Sequence, residues 1–97
     1  MGISDELIDK YTPESAEVTE ALAVQLSQII PADIHIAITG LTKPGGSETP
    51  EKPVGSMFIH IRHKAQNYRD CRVFEGNPES IVLQTASRVA LLLLEIV

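Results

Sequence analysis

The sequence predicts an α/β domain in α-β-β-β-α order, a layered sheet with helices packed on it. Three observations carry the prediction. Ile34, Ile36 and Ile38, and then Met57, Ile59 and Ile61, repeat at the two-residue period of strands. A polar reversal over residues 63–67 follows the second run and leads into a third over residues 68–75. Apolar residues at three-to-four spacing stand before and after these runs, as on helices with a buried stripe.

Each element has a local reason. Ser4, Asp5, Glu6 and Leu7 read as a capped single turn, a connector closed off by Pro13. Thr12 then reads as the cap of a helix with Pro13 at its first position and Glu14, Glu17 and Glu20 near the positive end of its dipole. Val18, Leu22, Leu26 and Ile29 form its stripe, and Pro31 ends it. The strand over residues 34–38 is apolar on one face and carries His35 and Ala37 on the other, which predicts a central strand. In the return strand of the hairpin, Arg69, Cys71 and Val73 share one face and Tyr68, Asp70, Arg72 and Phe74 the other. That polarity predicts a place near the sheet edge, with Cys71 semi-buried. Asn77, Pro78 and Glu79 open the last helix by the same cap-then-proline logic.

Composition excludes several classes of function. At 97 residues the chain is read as one domain over 1–97, large enough to bury roughly two-thirds of its unfolded surface. A net charge of -5 without a Lys/Arg cluster argues against a nucleic-acid partner. The single cysteine, Cys71, makes no internal disulfide, and cytoplasm is the expected compartment. No signal-peptide pattern opens the sequence, and the longest uncharged apolar run, residues 89–94, is too short to span a bilayer; no membrane partner is expected.

The chemistry points to the stretch between the first two strands, residues 39–56. Pro44, Pro50 and Pro53 fix φ there, while Gly40, Gly45, Gly46 and Gly55 open backbone conformations closed to other residues. Hydroxyls at Thr39, Thr42, Ser47, Thr49 and Ser56 stand beside Lys43 and Lys52. Loops longer than about 12 to 15 residues without structure of their own are usually functional or disordered. This loop can offer backbone N–H groups and two ammonium groups to an anion, although it is no P-loop, because Gly-x-x-x-x-Gly-Lys-[Ser/Thr] is absent.

Ile38-Thr39-Gly40, Pro44-x-Gly46-Ser47 and Glu51-Lys52-Pro53-Val54-Gly55-Ser56 together resemble the nucleotide-pocket segment of the CinA C-terminal domain family, bacterial nicotinamide-nucleotide amidohydrolases. The resemblance extends to the segment from Met1 to Ile8 and to Phe74-Glu75-Gly76 with the helix after it. It implies a CinA C-terminal-like fold and a nucleotide partner of the nicotinamide mononucleotide kind, with no essential metal or other cofactor. It also implies substrate binding at Thr39, Gly40, Gly45, Gly46, Ser47, Lys52 and Gly55, where Gly45, Gly46, Ser47, Thr39 and Lys52 would hold the ribose phosphate. The sequence departs from the family where Lys43 replaces a glycine and where Gly76-Asn77-Pro78 replaces Gly-Asp-Arg. The family's nucleophile motif, Ser-x-Thr-Gly-Gly, is not among these residues, so no catalytic residue is assigned; Ser47 and Lys52 are the nearest Ser–Lys pair. His35, His60 and His63 read as structural, since residues three apart on a strand face opposite sides.

The last helix asks for more cover than this chain offers. Ile81, Thr85, Val89, Leu92 and Ile96 form one stripe, and Val82, Ala86, Leu93 and Val97 a second beside it. A helix apolar nearly all round must be buried on several sides. Two expectations follow: a homo-oligomer joined around Val82, Leu93 and Val97, or a domain missing the family's N-terminal portion.

Overall fold

A computed structural model describes residue 6, residues 10–12, residues 14–45 and residues 48–96. Its elements are α1 (Ala16–Ile29), β1 (Ile34–Gly40), β2 (Ser56–His63), β3 (Gln66–Val73) and α2 (Pro78–Ile96). The predicted order is thus observed. Helical backbone at Glu6, Lys10 and Tyr11 precedes α1; the expected connector turn otherwise falls on residues outside those described.

The sheet is antiparallel in the order β1-β2-β3. The register aligns Ile36, Ile61 and Tyr68 across the three strands, and Ala37, His60 and Arg69 one step along. The two helices take opposite faces of it. Thr19 of α1 meets Thr39 at 2.8 Å between hydroxyl oxygens, and Glu20 pairs with Arg69 at 3.3 Å, so α1 covers the face of Ala37, Thr39 and His60. Arg88 of α2 donates through Nε to Asp70 Oδ2 at 3.0 Å and through an Nη to Oδ1 at 3.3 Å, which places α2 on the face of Ile59 and Ile61. The Arg88 hydrogen bonds hold the Asp70 carboxyl below its usual range against the opposing effect of burial, with the charges of Arg88 and Arg72 adding to the lowering.

Between the layers lies a small core of Val18, Ala23, Leu41, Met57, Ile59, Ile61 and Ile81. His35 and His60 are buried with it: His35 Nε2 donates to the Ile30 carbonyl at 2.6 Å, and His60 Nε2 lies 2.9 Å from Asn67 Oδ1. Both are packed histidines, as the sequence implied.

Several details correct the sequence reading. β2, not β1, is the central strand; it is buried on both faces, whereas β1 stands at the edge of the described sheet with Ile38 42% exposed. Apolarity on both faces of β1 signalled a demand for cover that these residues meet only under α1. The cap of α1 is Ser15, whose Oγ accepts from Val18 N at 3.2 Å, while Thr12 lies outside the helix with φ 70. The buried stripe is accordingly Val18, Thr19 and Ala23, and Ile29 is exposed on a last turn that leads into the exposed segment 30–33.

The reversal between β2 and β3 needs only Lys64 and Ala65, both at positive φ, because that two-residue geometry matches the twist of the flanking strands. Cys71, expected semi-buried, is exposed, as is nearly all of the edge strand β3, because α1 packs chiefly over β1 and β2. Asn77 does cap α2, accepting from Ser80 N at 2.8 Å.

Candidate functional site

The loop of residues 41–55 is built outward from the β1–β2 ladder. Leu41 N donates to Ser56 O at 3.0 Å and Gly55 N to Leu41 O at 2.6 Å, so the two ends are clamped together. Phe74 N then donates to Gly55 O at 2.9 Å and fastens the base to the end of β3. Gly55 sits at φ 99, and a Cβ there would lie 2.0 Å from Phe74 O, so the clamp requires glycine. Further out, Thr49 and Lys52 exchange backbone hydrogen bonds of 2.9 and 3.0 Å, and Thr49 Oγ1 also accepts from Lys52 N. The prolines and this inner turn make the loop a shaped structure of its own.

A single lysine ties the loop to the helix layer. Lys52 Nζ donates to the hydroxyl of Thr12 and, at 2.7 Å, to the carbonyl of Glu14, across the segment that leads into α1. This anchor brings Glu14 against the strand end. A cavity of about 240 Å³ results, lined by Glu14, Gly40, Leu41, Thr42, Lys43, Pro44 and Gly45.

The expected binding residues divide into three groups. Gly40 and Gly45 line the cavity. Thr39, Lys52 and Gly55 support it from outside: Thr39 through its hydroxyl contact with Thr19, Lys52 through Thr12 and Glu14, Gly55 through the clamp on Phe74. Gly46 and Ser47 lie outside the described residues, and so does any contact between Ser47 and Lys52. Gly45, at φ 98, donates its N–H to Glu48 Oε2 at 2.8 Å, so a carboxylate of the same loop already sits on a donor expected to meet a ligand anion.

Glu14 is the wall residue that sequence reasoning missed. From its position it read as a partner of the helix dipole, and nothing local announces that the Lys52 anchor turns it toward the loop. Its Oε2 has no solvent-exposed surface and no hydrogen-bond partner among the described residues. Among the described residues no group of three His, Cys, Asp or Glu side chains could hold a metal ion, and no helix is long and apolar enough to cross a membrane.

Residues 1–97 match the family model described as the CinA C-terminal domain. The chain is similar to a CinA-like protein of Prochlorococcus marinus (strain AS9601), 34% identical over 89 residues, which are 90% of this chain and 20% of that protein. A CinA-like protein of Desulfotalea psychrophila is 33% identical over 81 residues, 84% of this chain and 19% of that one. Among solved structures, a CinA superfamily protein of Escherichia coli superposes with a TM-score of 0.74 at 30% identity, over 81% of this chain and 45% of that one. A superfamily protein of Enterobacter cloacae gives 0.86 at 23% identity, over 99% and 57%. The chain therefore spans about a fifth of these curated relatives and about half of these solved chains.

Proposed function

From membership of the CinA C-terminal domain family, to which this chain belongs, we propose that residues 39–56 form the nucleotide-holding part of a site related to the nicotinamide-nucleotide amidohydrolases. The observation that carries the proposal is the anchored loop. Its base is clamped at Gly55, its far side is tied by Lys52 to Thr12 and Glu14 in the segment ahead of α1, and a cavity remains beneath Gly40 and Gly45. Fixing the two ends and the far side of a long loop in advance lowers the ordering cost of receiving a ligand.

The same reading places no amide hydrolysis in these 97 residues alone. Attack on an amide needs an activated nucleophile within reach of a base. The family's Ser-x-Thr-Gly-Gly stretch is absent from the sequence, and the Lys52 ammonium is already committed to Thr12 and Glu14. The site is tested by following amide chemical shifts at Gly40 and Gly45 during titration with nicotinamide mononucleotide, alongside an assay for ammonia release. Saturable shifts without turnover are expected. Ammonia above the buffer control, lost in Ser47→Ala, would make the loop catalytic instead.

A second reading, a non-catalytic self-associating module, is favoured by α2, where Val82, Leu83, Leu91 and Leu94 are 54 to 79% exposed. The covering surface would be a second copy or the further portion that longer relatives have.

A further inference from the structure

Glu14 lines the cavity beneath the loop, and its Oε2 has no solvent-exposed surface and no hydrogen-bond partner among the described residues. None of the ion pairs among the described residues includes it. The Lys52 ammonium is close in the chain's path but hydrogen-bonds the Glu14 backbone carbonyl, not its side chain. A buried carboxylate oxygen left unpaired is costly, and the cost is removed by any group that brings a positive charge or an N–H donor. Phosphate brings neither and would be repelled. Gly45 N–H, the backbone donor on the same wall, is meanwhile held by the Glu48 carboxylate.

We infer that Glu14 is a ligand-binding residue that receives the cationic or amide N–H end of the ligand, so that this cavity holds the positive end of a nucleotide and not its phosphate. The volume agrees. Pockets that enclose a whole drug-sized ligand run to about 300–1,000 Å³, and the roughly 240 Å³ here suits one ring with its substituent. Lys43, exposed on the rim of the same cavity, is placed to meet an anionic group that stays outside. The inference reverses the orientation expected from the loop glycines, and it rests on the nucleotide-site reading only for the remainder of the ligand.

The test is titration of the 97-residue chain with 1-methylnicotinamide, which joins a quaternary ring nitrogen to a carboxamide, and with inorganic phosphate, read at the amides of Thr42 and Gly45. Glu14→Gln should weaken 1-methylnicotinamide about tenfold or more, as expected for loss of a charge-assisted contact, and leave phosphate unchanged or tighter. Equal affinities in the two proteins would overturn the assignment. A measurement on the unaltered chain guards against a variant that does not fold: 1-methylnicotinamide should bind better than neutral benzamide, and benzamide better than benzoate. The reverse order sinks the inference. Nicotinamide mononucleotide bound equally by both proteins would keep the nucleotide reading and discard the role of Glu14. Glu14-dependent binding of 1-methylnicotinamide with no response to the nucleotide would do the opposite.

Discussion

The two helices of this chain meet the same sheet with opposite results. α1 is the shorter and more polar, yet it settles across β1 and β2 with Val18, Thr19 and Ala23 buried, and its hydroxyl and carboxylate groups find partners on the sheet. α2 is longer and nearly continuous in apolar residues, but its backbone comes close to the sheet only at β2, and it buries only Ile81 and Thr85. Apolarity therefore measures a demand for burial and not its fulfilment. A helix is satisfied when the facing surface is wide enough, and the three strands here offer α2 too narrow a bed.

That contrast can be broken at matched positions. Ile61, wholly buried on the α2 face, should cost about 2–5 kcal/mol when changed to Ala, whereas Leu94→Ala, at a residue 79% exposed, should stay within about 0.5 kcal/mol. Urea unfolding of both variants decides the matter. A Leu94→Ala cost close to that of Ile61→Ala would mean that the α2 face is covered in solution. Sedimentation would then show an associated species that Leu91→Glu disperses; a monomer at every concentration would instead leave α2 waiting for a surface from outside these residues.

The loop clamp belongs to the better-satisfied half of the comparison. Gly55→Ala must displace Phe74 O and occupy φ 99, and should destabilise by more than about 1 kcal/mol. Its amide shifts should change at Gly40 and Gly45, and a variant as stable as the parent would show that the clamp is not tight. Smaller again is the cap of α1, where Ser15→Ala should cost about 1 kcal/mol by thermal unfolding, while Thr12→Ala should act through Lys52 and the loop and not through the helix end.

The smallest effect concerns the polar fastening between α2 and β3, the Arg88–Asp70 pair. Arg88 lowers the carboxyl of Asp70 in the folded state, so the pair stabilises fully above the unfolded value near 3.8 and loses that contribution as pH falls through the lower folded value. The stability difference between the parent and Asp70→Asn should be flat from neutral pH to about pH 5 and shrink below 3.8. A difference that grows on acidification would contradict the assignment.

Local chemistry was enough to read the element order, the strands with their alternating faces, the Asn77 cap and the packed histidines, and it singled out Gly40 and Gly45, which line the loop cavity. Each is set by residues adjacent in sequence or spaced at one helical or strand period, so the chain carries the information wherever it folds. Sequence by itself also determined that α2 lacks cover, because a count of apolar stripes against available surface needs no coordinates. The remaining features depend on residues far apart meeting. Lys52 chooses Thr12 and Glu14 as partners, Gly55 meets Phe74, and Ser15 takes the cap predicted at Thr12, which stands at φ 70 outside the helix. β2 becomes central because the hairpin folds onto its free edge. Glu14 has a buried oxygen without a hydrogen-bond partner among the described residues only once the chain has folded. Desolvation is a property of the surroundings, and no spacing along the chain records it.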